Sequence, residues 1–441
     1  MMLSHLRHLM SSSFVGPSGN VLRGMAVLVA GSGTARLISL ASIPILTRIY
    51  SPEDFGVLSV FTALLQILIP LATLHYLMAI PLPRHDQTAF ALLSLCTILS
   101  TTLSVLIGII LFVFGLPILE TFSLEVLAPW RWIIGPGMLG ASSYQLLTMW
   151  ATRKRSYRII AKTQLFQSLT GEGIKLLMGI IAIKPLGLLI GQVAAYSGGL
   201  SNLLSCFGKD FFNMVPRLKL RHILVVARRY YGFPVYRLPA QFLLVLSMQA
   251  PLLFTTMLYG AETTGQLGLA TMAVTLPFIL LGQSVSRAYY AEAAELWRGD
   301  RPAAVQKLFK KTTLTLLIII LFPSIFLAFF SPLLSQILLG RGWEPAGKFI
   351  SLLSITLVPQ FISSSLLRTL DVLESNKTVF YLYLQKAVLT IIPFFLAERK
   401  GLNSYESILI YSLMMVVHYS LQYAITFFRL KKSIQQIKID R

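Results

Sequence analysis

"YSPEDFG" occupies residues 50–56, between two long apolar runs, and "YGAETTG" occupies residues 259–265 in the same setting. Both read Tyr-x-x-Glu-x-x-Gly, and each follows an apolar run that carries a proline, Pro44 in one and Pro251 in the other. The likeness continues weakly from "GVLSVFT" (56–62) to "GQLGLAT" (265–271), where Leu58 meets Leu267 and Thr62 meets Thr271. A vaguer echo pairs "EVLAPWRWI" (125–133) with "GWEPAGKFI" (342–350) in the same order. In the first loop Ser51 fits an N-cap, Pro52 the first helical position, and Glu53 and Asp54 the first turn, where the helix dipole favours acids. "AETTG", with Glu262, does this less clearly. Both loops read as helix starts, and their common order points to a duplicated unit.

The runs around these loops decide the class of the protein. Of 441 residues, 55% are hydrophobic and 12% charged, with mean hydropathy +0.72. Soluble domains carry about 25% charged residues, because a globule needs a polar skin. The chain reads as an integral membrane protein. About 20 apolar residues span the hydrocarbon as a helix. That rule predicts twelve spans, near 24–48, 55–80, 88–115, 128–151, 163–183, 185–208, 232–258, 265–287, 312–332, 346–368, 378–397 and 404–428. Barrel strands would be shorter and would alternate polar with apolar. The opening 23 residues are polar and the first run is too long for a signal-peptide core, so no cleavage is expected. Cys96 and Cys206 fall in predicted spans and read as small packing residues without a disulfide. Trp130, Trp132 and Trp150 lie near span ends, as an interfacial belt would.

The net charge of +21 acquires meaning from its placement. Twenty-six of the 38 Lys and Arg residues fall in the N-terminal segment, the even-numbered connections and the tail. Seven fall in the odd-numbered ones: Arg48, Arg131, Lys184, Arg341, Lys348, Arg399 and Lys400. This positive-inside bias predicts that both termini are cytoplasmic. The basic clusters, among them "RKRSYR" (153–158), read as topology signals attracted to membrane lipid heads. No nucleic-acid-binding module accompanies them.

Arg36, Lys175, Arg237, Arg368 and Lys386 remain, inside or at the edge of predicted spans. Such residues are costly in hydrocarbon and face a bundle interior or an aqueous cavity. Glu172 can neutralise Lys175 and Asp371 can neutralise Arg368, each pair three apart on a helix. Arg36, Arg237 and Lys386 have no local acid, which predicts a positive interior. His75 could titrate near neutral pH or simply bond its neighbours. Glu172, Lys175 and His75 are the candidates for coupling. Gln66, Thr73, Gln241, Ser247, Gln249, Gln283 and Ser284 could meet sugar hydroxyls or join helices.

The expected fold class is an all-α polytopic membrane protein of twelve transmembrane helices, arranged as two parallel-repeat six-helix lobes. The N-terminal lobe is expected over 1–208, a basic cytoplasmic linker over 209–231, and the C-terminal lobe with its basic tail over 232–441. Six is even, so both halves enter the membrane with one orientation, as in parallel-repeat transporters. The linker's apolar and basic mixture predicts an interfacial amphipathic helix.

The stretch "SGTARLISLASIPILTRIYSPEDFGVLSVFTALLQILIPLATLHYLMAIPLPR" (32–84) resembles the opening of Wzx-type polysaccharide flippases. These belong to the multidrug/oligosaccharidyl-lipid/polysaccharide exporter superfamily. The stretch beginning "FPVYRLPAQFLLVLSMQAP" at 233 resembles the family's matching region in the second half. The resemblance implies two lobes around a central cavity in the bacterial inner membrane. It implies a transporter that turns undecaprenyl-pyrophosphate-linked oligosaccharide from the cytoplasmic to the periplasmic leaflet, with membrane lipids and polysaccharide polymerase machinery as partners. No short motif defines that family's substrate residues. An anionic pyrophosphate would need cations, and arginine grips phosphate bidentately. Arg36 and Arg237 are therefore the first substrate-binding candidates, with Arg368 and Lys386 behind them.

Three rivals compete. A membrane polymerase or glycosyltransferase needs a catalytic acid or base, yet the external acids are scattered and the six histidines dispersed. No catalytic residue, metal site or cofactor is read from this chain. A cation-coupled drug antiporter wants free buried carboxylates, while the buried excess here is basic. A non-transporting scaffold would have no use for unpaired buried cations.

Overall fold

The computed structural model describes residues 17–277 and 282–439. Every regular element among them is helical. Packing divides the chain into two compact units, one of Met1–Tyr50 with Leu64–Gln241 and the other of Ser51–Ala63 with Phe242–Arg441.

In the first unit, α1 (Pro17–Ile49) packs on α5 (Tyr157–Ile180), and α5 on α6 (Leu186–Ser197). Helix α3 (Asp86–Thr121) packs on α4 (Ile134–Arg153). The predicted span at 185–208 is two helices, because the chain breaks at Gly198 and Gly199 before α7 (Leu200–Met214). Gly199 takes φ 84°, a left-handed conformation that glycine adopts without steric cost. Trp150 is fully buried, edge-on to Phe90 and Phe211 at 6.2 and 5.5 Å. It belongs to the core rather than to an interfacial belt, because its indole completes an apolar cluster between α3, α4 and α7. Cys96 is buried there as expected, whereas Cys206 is exposed. Within the stretch expected as a linker, α8 (Leu220–Arg229) buries Ile223 and Val226 and packs on α3 inside the first unit. Its opposite face exposes Leu220, Leu224 and Val225 beside the arginines.

Helix α2 (Pro52–Ala72) begins in the second unit and ends in the first. Its start follows the sequence: the Asp54 amide donates to Ser51 Oγ at 3.2 Å and the Ser51 amide to Asp54 Oδ2 at 2.9 Å. This reciprocal cap satisfies two donors the helix end leaves free. The predicted second span ran to residue 80, but the helix stops at Ala72. The Leu74 and His75 amides fold back on the Leu71 and Pro70 carbonyls, with φ 44° and 62° at Leu74 and His75. That is the usual helix-ending geometry, built here without glycine.

The second unit contains α9 (Leu238–Pro277) from Phe242 onward, α10 (Gln283–Arg298), α11 (Pro302–Leu339), α12 (Glu344–Ser354), α13 (Leu357–Leu366), α14 (Arg368–Val372), α15 (Asn376–Lys400) and α16 (Ser404–Ile439). The 40 residues of α9 form two helical segments, each near the length that spans a roughly 30 Å hydrocarbon layer. It is broken at Gly260 (φ 82°, ψ 179°), so the second predicted loop shrinks to one non-helical residue.

The two repeated loops meet within the second unit. Gly56 leaves room for the Ala261 carbonyl, and Gly265 leaves room for the Pro52 carbonyl. Ser59 and Gly268 also touch. Ala261, Gly265 and Gly268 lie 209 positions after Pro52, Gly56 and Ser59, so each partner offers the same patch to the other. This is the geometry of a local two-fold contact, which a repeat can make with itself. The tyrosines also act alike. Tyr50 donates its hydroxyl to the Lys175 carbonyl at 2.7 Å, and Tyr259 donates to the Leu402 carbonyl at 3.0 Å. Glu53 and Glu262 are exposed. The vaguer echo has no such counterpart: 125–133 is a 3-10 turn, while Trp343 is buried edge-on to Phe55 at 5.1 Å.

Six helices among the described residues are long and apolar enough to cross a membrane. The pair Glu344–Ser354 and Leu357–Val372, bent by 54°, makes a seventh. Only 17% of the most apolar window of α3 or of α11 is buried within the chain. Phe112 is 65% exposed and Phe322 75%. In water such rows would aggregate; in a bilayer they face lipid tails.

Candidate functional site

Helix α1 brings the small hydroxyls Ser39 and Ser42 to α5. Ser168 Oγ donates to the Ala35 carbonyl at 2.6 Å, and Ser42 Oγ donates to Glu172 Oε2 at 2.8 Å. Lys175 Nζ lies 3.2 Å from Glu172 Oε1, and both side chains are almost wholly buried. The ion pair read from the i,i+3 spacing is thus present, and it belongs to an interhelical polar network. Arg36, on α1 between Ala35 and Ser39, is half-buried. It enters none of the ion pairs found among the described residues.

Arg237 is exposed on the π-turn Phe233–Arg237 that precedes α9, its guanidinium 5.3 Å from the Phe233 ring centre. That turn packs against the 3-10 turn Tyr76–Ala79, whose N-cap is His75. The fold therefore brings two expected site residues, 162 positions apart in sequence, into one corner of the first unit. His75 sits past the end of α2 rather than within it.

The basic cluster at 153–158 has a partner that its sequence did not reveal. Asp86, at the start of α3, lies 2.8 Å from Arg153 Nη2 and 2.6 Å from Lys154 Nζ. Two of the cluster's charges are tied to a helix terminus.

Lys386 is buried, its ammonium 5.6 Å from the Tyr419 ring centre. It lies in a core row with Leu382, Thr390 and Phe394, spaced four apart and all buried. It lines none of the cavities described here, because that face of α15 packs against α16. Neighbouring His418 is also buried.

Arg368 opens onto space. A cavity of about 410 Å³ in the second unit is lined by Gln283, Ser286 and Arg287 of α10, facing Ser364, Arg368, Asp371 and Tyr383. Arg368 Nη1 meets Asp371 Oδ2 at 2.9 Å, with both side chains solvent-accessible. One of the two guanidinium groups is neutralised by Asp371, and Arg287 enters no ion pair found among the described residues. The cavity therefore carries net positive charge, with hydroxyl and amide groups around it. Arg287 is the last residue of the span predicted at 265–287 and is not among the basic residues singled out from sequence. Its signal was the spacing Gln283–Arg287, one turn apart at the start of α10. Gln283 reaches this cavity; the Ser284 side chain lies outside the described residues. Ser247 and Gln249 are buried in α9, as residues joining helices are. Among the described residues no group of three His, Cys, Asp or Glu side chains could hold a metal ion.

A family model described as "Polysaccharide biosynthesis protein" matches residues 45–348, more than half of the chain. The chain belongs to that family. This polysaccharide biosynthesis protein matches no curated protein sequence. Its fold is similar to that of an inward-facing multidrug resistance MATE family transporter of the MOP superfamily. The TM-score is 0.71 at 12% identity, over 90% of this chain and 94% of that one. It is similar to the lipid II flippase MurJ in an inward closed conformation, with TM-score 0.69 and 13% identity over 93% and 87%. A MOP superfamily transporter from Pyrococcus furiosus, described as having a binding pocket of reversed polarity, gives 0.59 at 12% over 96% and 98%. At these identities the likeness is one of fold.

Proposed function

We propose that this protein moves a polyprenyl-diphosphate-linked oligosaccharide across the bacterial cytoplasmic membrane, from the cytoplasmic to the periplasmic leaflet. Membership of the polysaccharide biosynthesis family supports the cargo class, and the transporter fold supports movement rather than catalysis. The observation that carries the reading furthest is the cavity into which Arg287 and Arg368 both face. Paired guanidinium groups suit the oxygens of a diphosphate, each able to give two parallel hydrogen bonds. Within the first unit, Arg36 and Arg237 are the candidates for contact with an anionic group, and His75 is a candidate for coupling. In this reading twelve spans form two six-helix lobes, joined by the 209–231 linker, with both termini cytoplasmic.

A cation-coupled drug antiporter is the second reading, favoured by the likeness to a MATE transporter. Against it, Glu172 is held by both Lys175 and Ser42, so this carboxylate is committed within the first unit.

The test reconstitutes the full chain in liposomes with a fluorescent diphosphate-linked oligosaccharide lipid and follows leaflet exchange by external quenching. Exchange that falls about tenfold or more in R287A/R368A, as loss of hydrogen bonds to a charged group implies, fits the proposal. No exchange, alongside sodium- or proton-driven efflux of a cationic dye, would replace it with the antiporter.

A further inference from the structure

The arginine cavity continues along α10 into a second space of opposite polarity. This cavity, about 840 Å³, is lined by Tyr290, Glu295, Trp297 and Arg298 of α10, by Glu374 past the end of α14, and by Ser433 of α16. Asp371 lines both cavities, so they adjoin at the Arg368–Asp371 ion pair. Positions 283, 287, 290, 294 and 298 recur every three or four residues and form one face of the helix. Along that face the lining changes from two arginines and one acid to one arginine and three acids. Tyr290, Glu295 and Glu374 are exposed, and Trp297 is half-buried.

We infer that this second cavity takes the sugar adjacent to the lipid diphosphate, and that this sugar is uncharged. The inference rests on the diphosphate lying at Arg287 and Arg368. A sugar offers hydroxyl donors and an apolar ring face. Ionised carboxylates are strong acceptors for hydroxyls, and an aromatic ring presents an apolar body to the sugar's C–H face. A carboxylate-bearing sugar would instead face Glu295, Glu374 and Asp371. Like charges brought together across a binding surface are strongly disfavoured, so such a sugar is rejected. The polarity change thus sets which sugar follows the phosphates.

The test uses full-length protein in nanodiscs and three short-chain polyprenyl diphosphate probes: one bare, one carrying a neutral hexose, and one carrying the corresponding hexuronic acid. Dissociation constants are measured for wild type, E295Q/E374Q and R287A/R368A. In wild type the hexose probe binds about tenfold or more tighter than the hexuronate probe, equivalent to about 1.4 kcal/mol. In E295Q/E374Q that ratio collapses toward one, while the bare probe binds as before. Both glutamates are exposed, so the double variant keeps its core. Equal binding of both sugars by wild type, or a ratio unchanged in E295Q/E374Q, overturns the sugar assignment while leaving the diphosphate site standing. Bare-probe binding that is absent in wild type, or unaffected in R287A/R368A, overturns the diphosphate site itself.

Discussion

Glu172 and Lys175 show how far a single residue pair can be read before folding. Their spacing announced an ion pair, and the structure supplies it at 3.2 Å. Only the fold added Ser42, from a helix 130 positions away, as a second donor to the same carboxylate. Glu172→Gln is expected to destabilise the protein by about 3–5 kcal/mol, because it leaves the Lys175 ammonium buried without its counter-charge. The double variant E172Q/K175M recovers much of that loss, which thermal unfolding in detergent would measure. Tyr259→Phe removes a hydroxyl bonded to the Leu402 carbonyl at 3.0 Å and to Ser407 Oγ at 2.5 Å. A loss of about 1 kcal/mol is expected in the same assay. Arg287 was not legible as a site residue. It stands at the end of a predicted span, and only the approach of α13, α14 and α15 encloses it in a cavity. Lys386 reads from sequence as cavity-lining, because it is a basic residue in a span with no local acid; its burial beside Tyr419 is visible only in the packing.

At the scale of elements, the helix starts and breaks were legible where a side chain caps or a glycine frees the backbone. Ser51 and Asp54 cap α2 as expected, and the same reciprocal arrangement between Asn403 and Glu406 starts α16. Ser51→Ala is expected to cost about 1 kcal/mol, read from the unfolding midpoint in the same detergent. The purpose of the repeated glycines was not legible, since a glycine after a helix start has several uses. The structure assigns them to one contact, Gly56 on the Ala261 carbonyl and Gly265 on the Pro52 carbonyl. A methyl group at either position must displace backbone, so Gly56→Ala and Gly265→Ala each destabilise by roughly 1–3 kcal/mol. Because they lie in one contact, their effects in the double variant should not add. The end of α2 was misplaced for a physical reason. Leu74 and His75 are apolar or neutral residues that look helical in sequence, yet take the left-handed conformation that glycine would have signalled.

For the whole molecule, the proposed topology makes a test independent of transport. In a variant lacking Cys96 and Cys206, Glu53→Cys and Glu262→Cys are expected to react with an impermeant maleimide added outside intact cells. Lys311→Cys is expected to react only after permeabilisation. Labelling of Glu262→Cys from inside alone would break the parallel repeat, because both loops must then open to opposite faces. The sequence by itself determined the membrane class, the helical content and the order of apolar runs. These follow from composition and from the length a bilayer demands, which no packing arrangement alters. It also determined the Glu172–Lys175 pair, because three residues on a helix fix a distance. Only the tertiary structure decided that the twin loops clasp each other, that Trp150 belongs to the core, and that Arg287 and Arg368 share a cavity. Such facts join residues tens to hundreds of positions apart, and sequence spacing carries no distance once the chain leaves a single helix.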